Sequence, residues 1–371
     1  ERIAGRIEVT AVANPQDGRA IRFDGSYLGF NVGNFMVSAG YMQRWWGPGF
    51  EGSLILGTNA RPIPSVTIER NYTDPFETRW LKWLGPWRAS IAIGKAESAD
   101  TARNGTLPVL SDTKFFAARF AFRPRPWLDV ALTRSAQTCG AGRLCNLSTF
   151  KNLLLGNDNR GGNVTLANES GNQMAGYDLR LTSPWRRLPV AVYGQFIGED
   201  EANHLPSKFL GLLGAEVWGV SALGDYRVHL EYADTACEFT RKTAFYDCAY
   251  RNPGIFPQGY TFRGRIIGHP MDNDGRMLSV GGALVRTGGD SIDLLLRRAE
   301  LNRGGMSFDR FHALSPSPAT VRNLEIQYNR ALDLGDWGRG RMRIGIGFDS
   351  TTGPVVERAG ARGFLEWQQG L

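Results

Sequence analysis

Alternation with a period of two dominates this chain. Tyr226, Val228, Leu230 and Tyr232 alternate with Arg227, His229, Glu231 and Ala233. Leu324, Ile326 and Tyr328 alternate with Asn323, Glu325, Gln327 and Asn329. Met342, Ile344, Ile346 and Phe348 alternate with Arg341, Arg343, Gly345, Gly347 and Asp349, and Val190, Val192 and Phe196 lie opposite Ala191, Tyr193, Gln195 and Ile197. Successive side chains of a strand point to opposite faces, so these runs are strands with one apolar face. The connections alternate as well. Short turns fall at 123–126, 183–187, 224–225, 288–290 and 334–338. Between them come long segments at about 137–173, 234–275 and 300–320, and a medium one at about 198–208. Short, long, short, long is the pattern of an antiparallel meander with one plain end and one elaborated end.

Mean hydropathy is −0.28, and no uncharged apolar run approaches the ~18 residues a membrane-crossing helix needs. Strands can still cross. Dividing 371 residues among sixteen to eighteen strands leaves roughly 20–23 per strand with its share of connections, ample for the ~9–11 residues a tilted spanning strand requires. In lipid every backbone donor and acceptor must be paired, which an all-β spanner achieves by closing on itself. The expected fold is therefore all-β: a transmembrane antiparallel up-and-down β-barrel of about 16–18 strands, one domain over 1–371. Aliphatic faces would meet lipid, and Arg, Glu, Asn, Gln and Gly would line the lumen. The 46 glycines suit a lumen filled by inward-folding loops. Trp127, Tyr177, Trp185 and Trp337 would sit at headgroup level. Two stretches break the period and read as short helices. The first is 74–85, with Asp74 as N-cap, Pro75 in the first turn, Glu77 as capping-box acid and Gly85-Pro86 as stop. The second is 207–213, after Pro206.

Net charge is +7. The basic residues are dispersed, and even Arg339, Arg341 and Arg343 alternate as one face of a strand. That spacing argues against nucleic acid as a partner. The four cysteines form two local pairs, Cys139 with Cys145 and Cys237 with Cys248. Without a Cys-x-x-Cys or a histidine at zinc spacing they read as two disulfides, hence an oxidising compartment. No metal or cofactor is expected: Met271-Asp272-Asn273-Asp274-Gly275 lacks the bidentate glutamate of a calcium loop. No catalytic set is expected either. There is no Gly-x-Ser-x-Gly, and His204, His229, His269 and His312 are far apart. His229, between Arg227 and Glu231, reads as part of a lumen salt network.

The most distinctive string is Trp45-Trp46-Gly47-Pro48-Gly49. Exposed indoles could stack on sugar rings; alternatively the string is a rigid turn with plug-packing aromatics, which carries more weight. The run Gly40-Tyr41-Met42-Gln43-Arg44-Trp45-Trp46-Gly47-Pro48-Gly49 continues through Glu51-Gly52-Ser53-Leu54-Ile55-Leu56 and Asn59-Ala60-Arg61-Pro62. With Asp74-Pro75-Phe76-Glu77, Trp80-Leu81, Trp83-Leu84-Gly85-Pro86-Trp87, and Gly198-Glu199-Asp200-Glu201 ahead of 206–216, it resembles the Wzi family of capsule assembly proteins. Three blocks in order span residues 40–216. The resemblance implies an eighteen-stranded outer-membrane barrel, closed on its periplasmic side by helices, that holds capsular polysaccharide in a lectin-like way. Family chains are longer, so an N-terminal part is expected to precede Glu1. The cysteine pairs lie outside the family pattern.

A basic barrel suits an anionic glycan, because arginine forks bind carboxylates bidentately. The candidate polysaccharide-binding residues are Arg44, Trp45, Trp46, Arg61, Arg143, Arg160, Arg241, Arg251 and Arg263. Arg180, Arg227, Arg341 and Arg343 have lumen parity. Lumen arginines could equally pair with lumen carboxylates, and loop arginines with lipopolysaccharide phosphates or other outer-membrane lipid. The reading is a monomeric, non-enzymatic barrel of the bacterial outer membrane that anchors anionic surface polysaccharide. Its rivals are a sugar-passing porin and, behind it, a lipid- or glycan-modifying enzyme.

Overall fold

A computed structural model describes residues 2–15, 17–96, 112–140, 144–155, 171–185, 187–202, 205–251, 256, 259–305, 312, 314–333, 335 and 339–369. Sixteen strands form one antiparallel sheet in which sequence neighbours are ladder neighbours throughout. They are β1 (Ile3–Arg6), β2 (Tyr27–Val32), β3 (Phe35–Gly40), β4 (Ser65–Arg70), β5 (Trp87–Lys95), β6 (Thr113–Arg125), β7 (Leu128–Cys139) and β8 (Gly171–Thr182). The second half is β9 (Val190–Ala202), β10 (Leu205–Ser221), β11 (Gly224–Asp234), β12 (Arg276–Val285), β13 (Ser291–Leu301), β14 (Ala319–Asp333), β15 (Arg339–Thr352) and β16 (Glu357–Gln369). Two-residue ladders join Thr10–Ala11 to Ile21–Arg22 and Thr261–Phe262 to Arg265–Ile266. Among the described residues no ladder joins β16 back to β1. Among the described residues no helix is long and apolar enough to cross a membrane.

The two faces divide as the alternation requires. Ile292, Leu294 and Leu296 of β13 are exposed on one face, while Arg297 and Ala299 turn to the other. Val66, Ile68, Ile91, Ile93, Val192, Leu230 and Ile346 continue the exposed aliphatic surface. In water so much bare aliphatic area would be a liability; against acyl chains it is the solvated face. Trp127 and Trp185 are exposed near strand ends; Tyr177, also exposed, lies at the middle of β8 and not at headgroup level as expected, and Trp337 lies outside the described residues.

The inner face has its own core. Residues 41–64, between β3 and β4, fold inward and bury Trp46, Leu54, Ile55 and Leu56. The connection after β11 joins them with Tyr250, Tyr260, Ile267 and Met271. These two segments touch inward side chains of β4, β7, β9, β11 and β13, so the sheet wraps around them.

Both expected helices are corrected. Residues 74–85 keep only a single 3-10 turn, Lys82–Leu84, ended by Gly85 at φ 66°. Arg70 donates to the carbonyls of Trp87 (2.7 Å) and Asp74 (3.0 Å), so Asp74 is held against the wall and caps nothing. Phe76 instead stacks on Trp87, with ring centroids 4.4 Å apart. Residues 207–213 are strand, within β10. Leu210 and Leu212 turn inward onto the core while Leu213 faces outward. A strand apolar on both faces loses its alternation and imitates a helix. The connection expected at 198–208 shrinks accordingly, because β9 and β10 pair as far as Ala202 and Leu205.

One α-helix, α1 (Leu147–Leu155), was not expected. It packs on the outer wall, where Leu153 and Phe150 meet Phe116 and Ala136. Arg134 reaches from β7 to the carbonyls of Leu153 and Leu154 at its C-terminus. Cations at that end also favour the helix dipole.

Both disulfides form, Cys139–Cys145 and Cys237–Cys248. The second constrains the segment that delivers Tyr250 into the lumen. Replacing Cys237 and Cys248 by serine should cost that segment about 2–3 kcal/mol. Limited proteolysis should then cut within 238–247 while the barrel keeps its heat-modifiable migration in detergent gels. Loss of the whole barrel would show that the bridge supports the wall as well.

Candidate functional site: the plugged lumen and its arginines

The inner loop is held by side chains that the alternation points inward. Gln195 of β9 donates to the carbonyl of Trp46 at 2.7 Å and accepts from the amide of Leu54 at 2.7 Å. Glu231 of β11 accepts from the amides of Phe50 (2.7 Å) and Glu51 (3.1 Å) and from the Tyr193 hydroxyl (3.1 Å). Tyr250 and Tyr260 donate to the carbonyls of Leu54 (2.6 Å) and Ile55 (2.8 Å). Burial raises both phenol pKa values, which keeps them protonated donors. Buried backbone groups without partners are costly, so an irregular loop inside a barrel needs such an escort.

Charged pairs clamp the tip. Glu51 binds Arg297 of β13 at 2.5 Å and lies 3.4 Å from His229. Although burial works to raise the Glu51 pKa, His229 and Arg297 hold it below the usual carboxylate range. Phe50 stacks on His229, centroids 4.2 Å apart, with the Arg227 guanidinium 4.8 Å from its ring. His229 is thus in a salt network, but its partner comes from the inner loop and not from the neighbours the sequence suggested.

Each candidate residue can now be placed. Trp46 is buried and its faces are taken by the core. Trp45 is 38% exposed and donates its indole N–H to the carbonyl of Gly49. The rigid-turn reading of the motif therefore describes its packing. Arg44 donates to the Met42 carbonyl and the Thr67 hydroxyl. Arg61 is spent on Asp24, bidentately at 2.8 and 2.9 Å, and on Asp17 at 2.7 Å. Arg251 is nearly enclosed beside Asp247. Arg263 lies 5.4 Å over the Phe262 ring. Arg241 pairs with Glu238 but remains 71% exposed, the most solvent-facing of the described loop arginines among the candidates. Arg143 and Arg160 lie outside the described residues. Arg180 and Arg227 converge on Glu216, a fully buried carboxylate of β10. Arg343 pairs with Glu366 at 2.9 Å, beside Arg341 in a cavity of about 450 Å³ lined also by Asn329 and Gln368. The clamps Gln195, Glu231 and Glu51 were missed. Their signal was a run of polar residues at inward parity, but its partners lie far away in sequence.

The loop cap carries a buried polar cluster of its own. Both Asp274 oxygens accept the Asp247 amide, at 3.0 and 3.1 Å, and Arg303 pairs with Asp234. Burial pushes the Asp274 carboxyl up to about 7. Asp272 to Gly275 is a hydrogen-bonded turn, and among the described residues no group of acids, histidines or cysteines is arranged for a metal.

His269 is fully enclosed against the inner loop, and burial drives its pKa down to about 3. The folded chain holds it neutral while the unfolded chain protonates it below about 6.5. Its contribution is therefore complete above pH 6.5 and declines as pH falls toward 3. Relative to His269→Gln, wild type should lose about 1.4 kcal/mol per pH unit in that window. Urea midpoints of both proteins at pH 7, 6 and 5 measure it; a constant difference would contradict the assignment.

The class these features define is a plugged transmembrane β-barrel with an arginine-rich interior. The capsule assembly protein Wzi family model matches residues 1–341, and the chain belongs to that family. An uncharacterised 55.8 kDa protein in the cps region of Klebsiella pneumoniae is 35% identical over 214 residues, 57% of this chain. The match spans 40% of that relative's length. Wzi of Escherichia coli, described as an outer-membrane, carbohydrate-binding β-barrel involved in group 1 capsule assembly, has the same fold. It superposes with a TM-score of 0.82 at 24% identity, covering 100% of this chain and 76% of the other.

Proposed function

We propose that this chain is a non-enzymatic outer-membrane barrel that binds anionic capsular polysaccharide at the cell surface through its long-loop end. The observation that carries this reading is a lumen packed by the chain's own loops, in a member of the capsule assembly family. Such a lumen suits a binder better than a conduit. The description of the E. coli relative points the same way. Arg241 offers a cation to a polyanion, and the same face would meet lipopolysaccharide. The barrel acts as a monomer.

The test pairs two measurements on purified protein. Calorimetric titration with an acidic capsular polysaccharide should show binding that weakens as salt rises, because exposed charges are screened beyond a Debye length. Planar bilayers should stay silent. Steady ohmic steps without polysaccharide binding would replace this reading with a transport channel.

A further inference from the structure

We propose that the short-turn end of the lumen holds a second site, for a carboxylate-bearing sugar unit. The proposal rests on the polysaccharide-binding reading and places a site at the opposite end from the long loops. Strands β5 to β8 set Arg88, Ala121, Ala131 and Asp178 side by side: Arg88 faces Ala121, Ala121 faces Ala131, and Ala131 faces Asp178. Two alanines in the middle of that row leave a gap that larger side chains would fill. The gap is a cavity of about 370 Å³, bounded on the lumen side by Gly47 and Pro48 of the inner loop. Its size lies within the ~300–1,000 Å³ typical of small-ligand sites.

The frame of the cavity is cationic. Arg119 forks onto Asp178 at 3.1 and 2.6 Å and is steadied by the Thr133 hydroxyl at 2.8 Å. Arg123 pairs with Asp129 at 2.5 Å. Arg180 shares its carboxylate, Glu216, with Arg227. The Arg88 guanidinium is exposed and has no ion-pair or hydrogen-bond partner among the described residues. Four guanidiniums thus border the cavity against two carboxylates, Asp129 and Asp178. That excess of positive charge is stabilised by an incoming anion, and the free Arg88 fork fits a carboxylate bidentately. Between the arginines the lining is mostly apolar, with Ala121, Ala131, Pro48, Pro86 and Trp87 among it. That apolar floor suits the C–H face of a sugar ring, which a bare phosphate lacks.

The experiment uses the full chain in detergent and three probes: sodium glucuronate, glucose and inorganic phosphate. Glucuronate should bind and the other two should bind at least tenfold more weakly. R88Q should weaken glucuronate at least tenfold, and A121F, which fills the gap, should abolish its binding. Arg88 is exposed, so R88Q keeps the ladder and serves even where A121F does not fold. Absence of glucuronate binding, phosphate binding as tight as glucuronate, or R88Q binding like wild type would each overturn the site. Failure of the parent reading is separable. Intact cells offer added capsular polysaccharide only the outward loops, so that assay reports the loop end alone, and the glucuronate titration reports the cavity alone.

Discussion

Replacing Gly52 by valine is expected to unseat the inner loop and turn a silent barrel into a conducting one. A β-carbon built on Gly52 would stand 2.2 Å from two ring atoms of His269. His269 has nowhere to retreat, being fully enclosed, with its amide donating to the Tyr250 hydroxyl at 3.2 Å. Overpacking a well-filled core typically costs ~1–3 kcal/mol, and a contact this short on a rigid ring belongs at the upper end. The strand ladders are untouched, so the wall should persist. Relief comes from moving the loop, which fills the lumen together with the connection after β11. Two readouts follow. Single-channel recording should show ohmic steps absent from wild type, and trypsin should cut after Arg44, which the seated loop shields. A G52V barrel that stays silent and resists trypsin would show that the lumen is closed by something other than this loop.

The wall was readable because a strand in a membrane has one solvent on each side. β11 carries polar and apolar residues at strict parity, so its inward members Arg227, His229 and Glu231 could be assigned to the lumen side from spacing alone. β10 shows where that logic ends. Leu210 and Leu212 face a packed plug instead of water, so the inner face became as apolar as the outer, and the periodic signal vanished. The helix signals at 74–85 failed for a related reason. Caps and stops are local, but a helix of that length needs a face to bury, and Trp80 and Trp83 remain largely exposed. At the site, arginines were legible as a class and illegible as individuals. Nothing near Arg61 in sequence announces Asp17 and Asp24, and nothing near Arg88 announces the paired alanines that leave it unpartnered. Spacing shows which face a side chain takes; it cannot show which distant residue meets it there.

The Glu231 carboxylate should prove as decisive as Gly52, by a different physical route. It gathers three donors: the amides of Phe50 and Glu51 and the Tyr193 hydroxyl. Glu231→Leu keeps the bulk and removes every acceptor. Each buried donor left without a partner costs about 1–3 kcal/mol, and two of the three belong to the loop, so the seated loop should lose roughly 2–6 kcal/mol. Glu231→Gln keeps one acceptor oxygen and should fall between. Trypsin cleavage after Arg44 again reports seating, with rates rising in the order wild type, Glu231→Gln, Glu231→Leu. The two substitutions act on one equilibrium, the loop in or out, and so must not add. Once Gly52→Val has expelled the loop, Phe50 and Glu51 are hydrated and Glu231 has nothing left to hold. The double variant should conduct and cleave like Gly52→Val alone. Additive effects would mean that Glu231 supports the wall through Tyr193 independently of the loop.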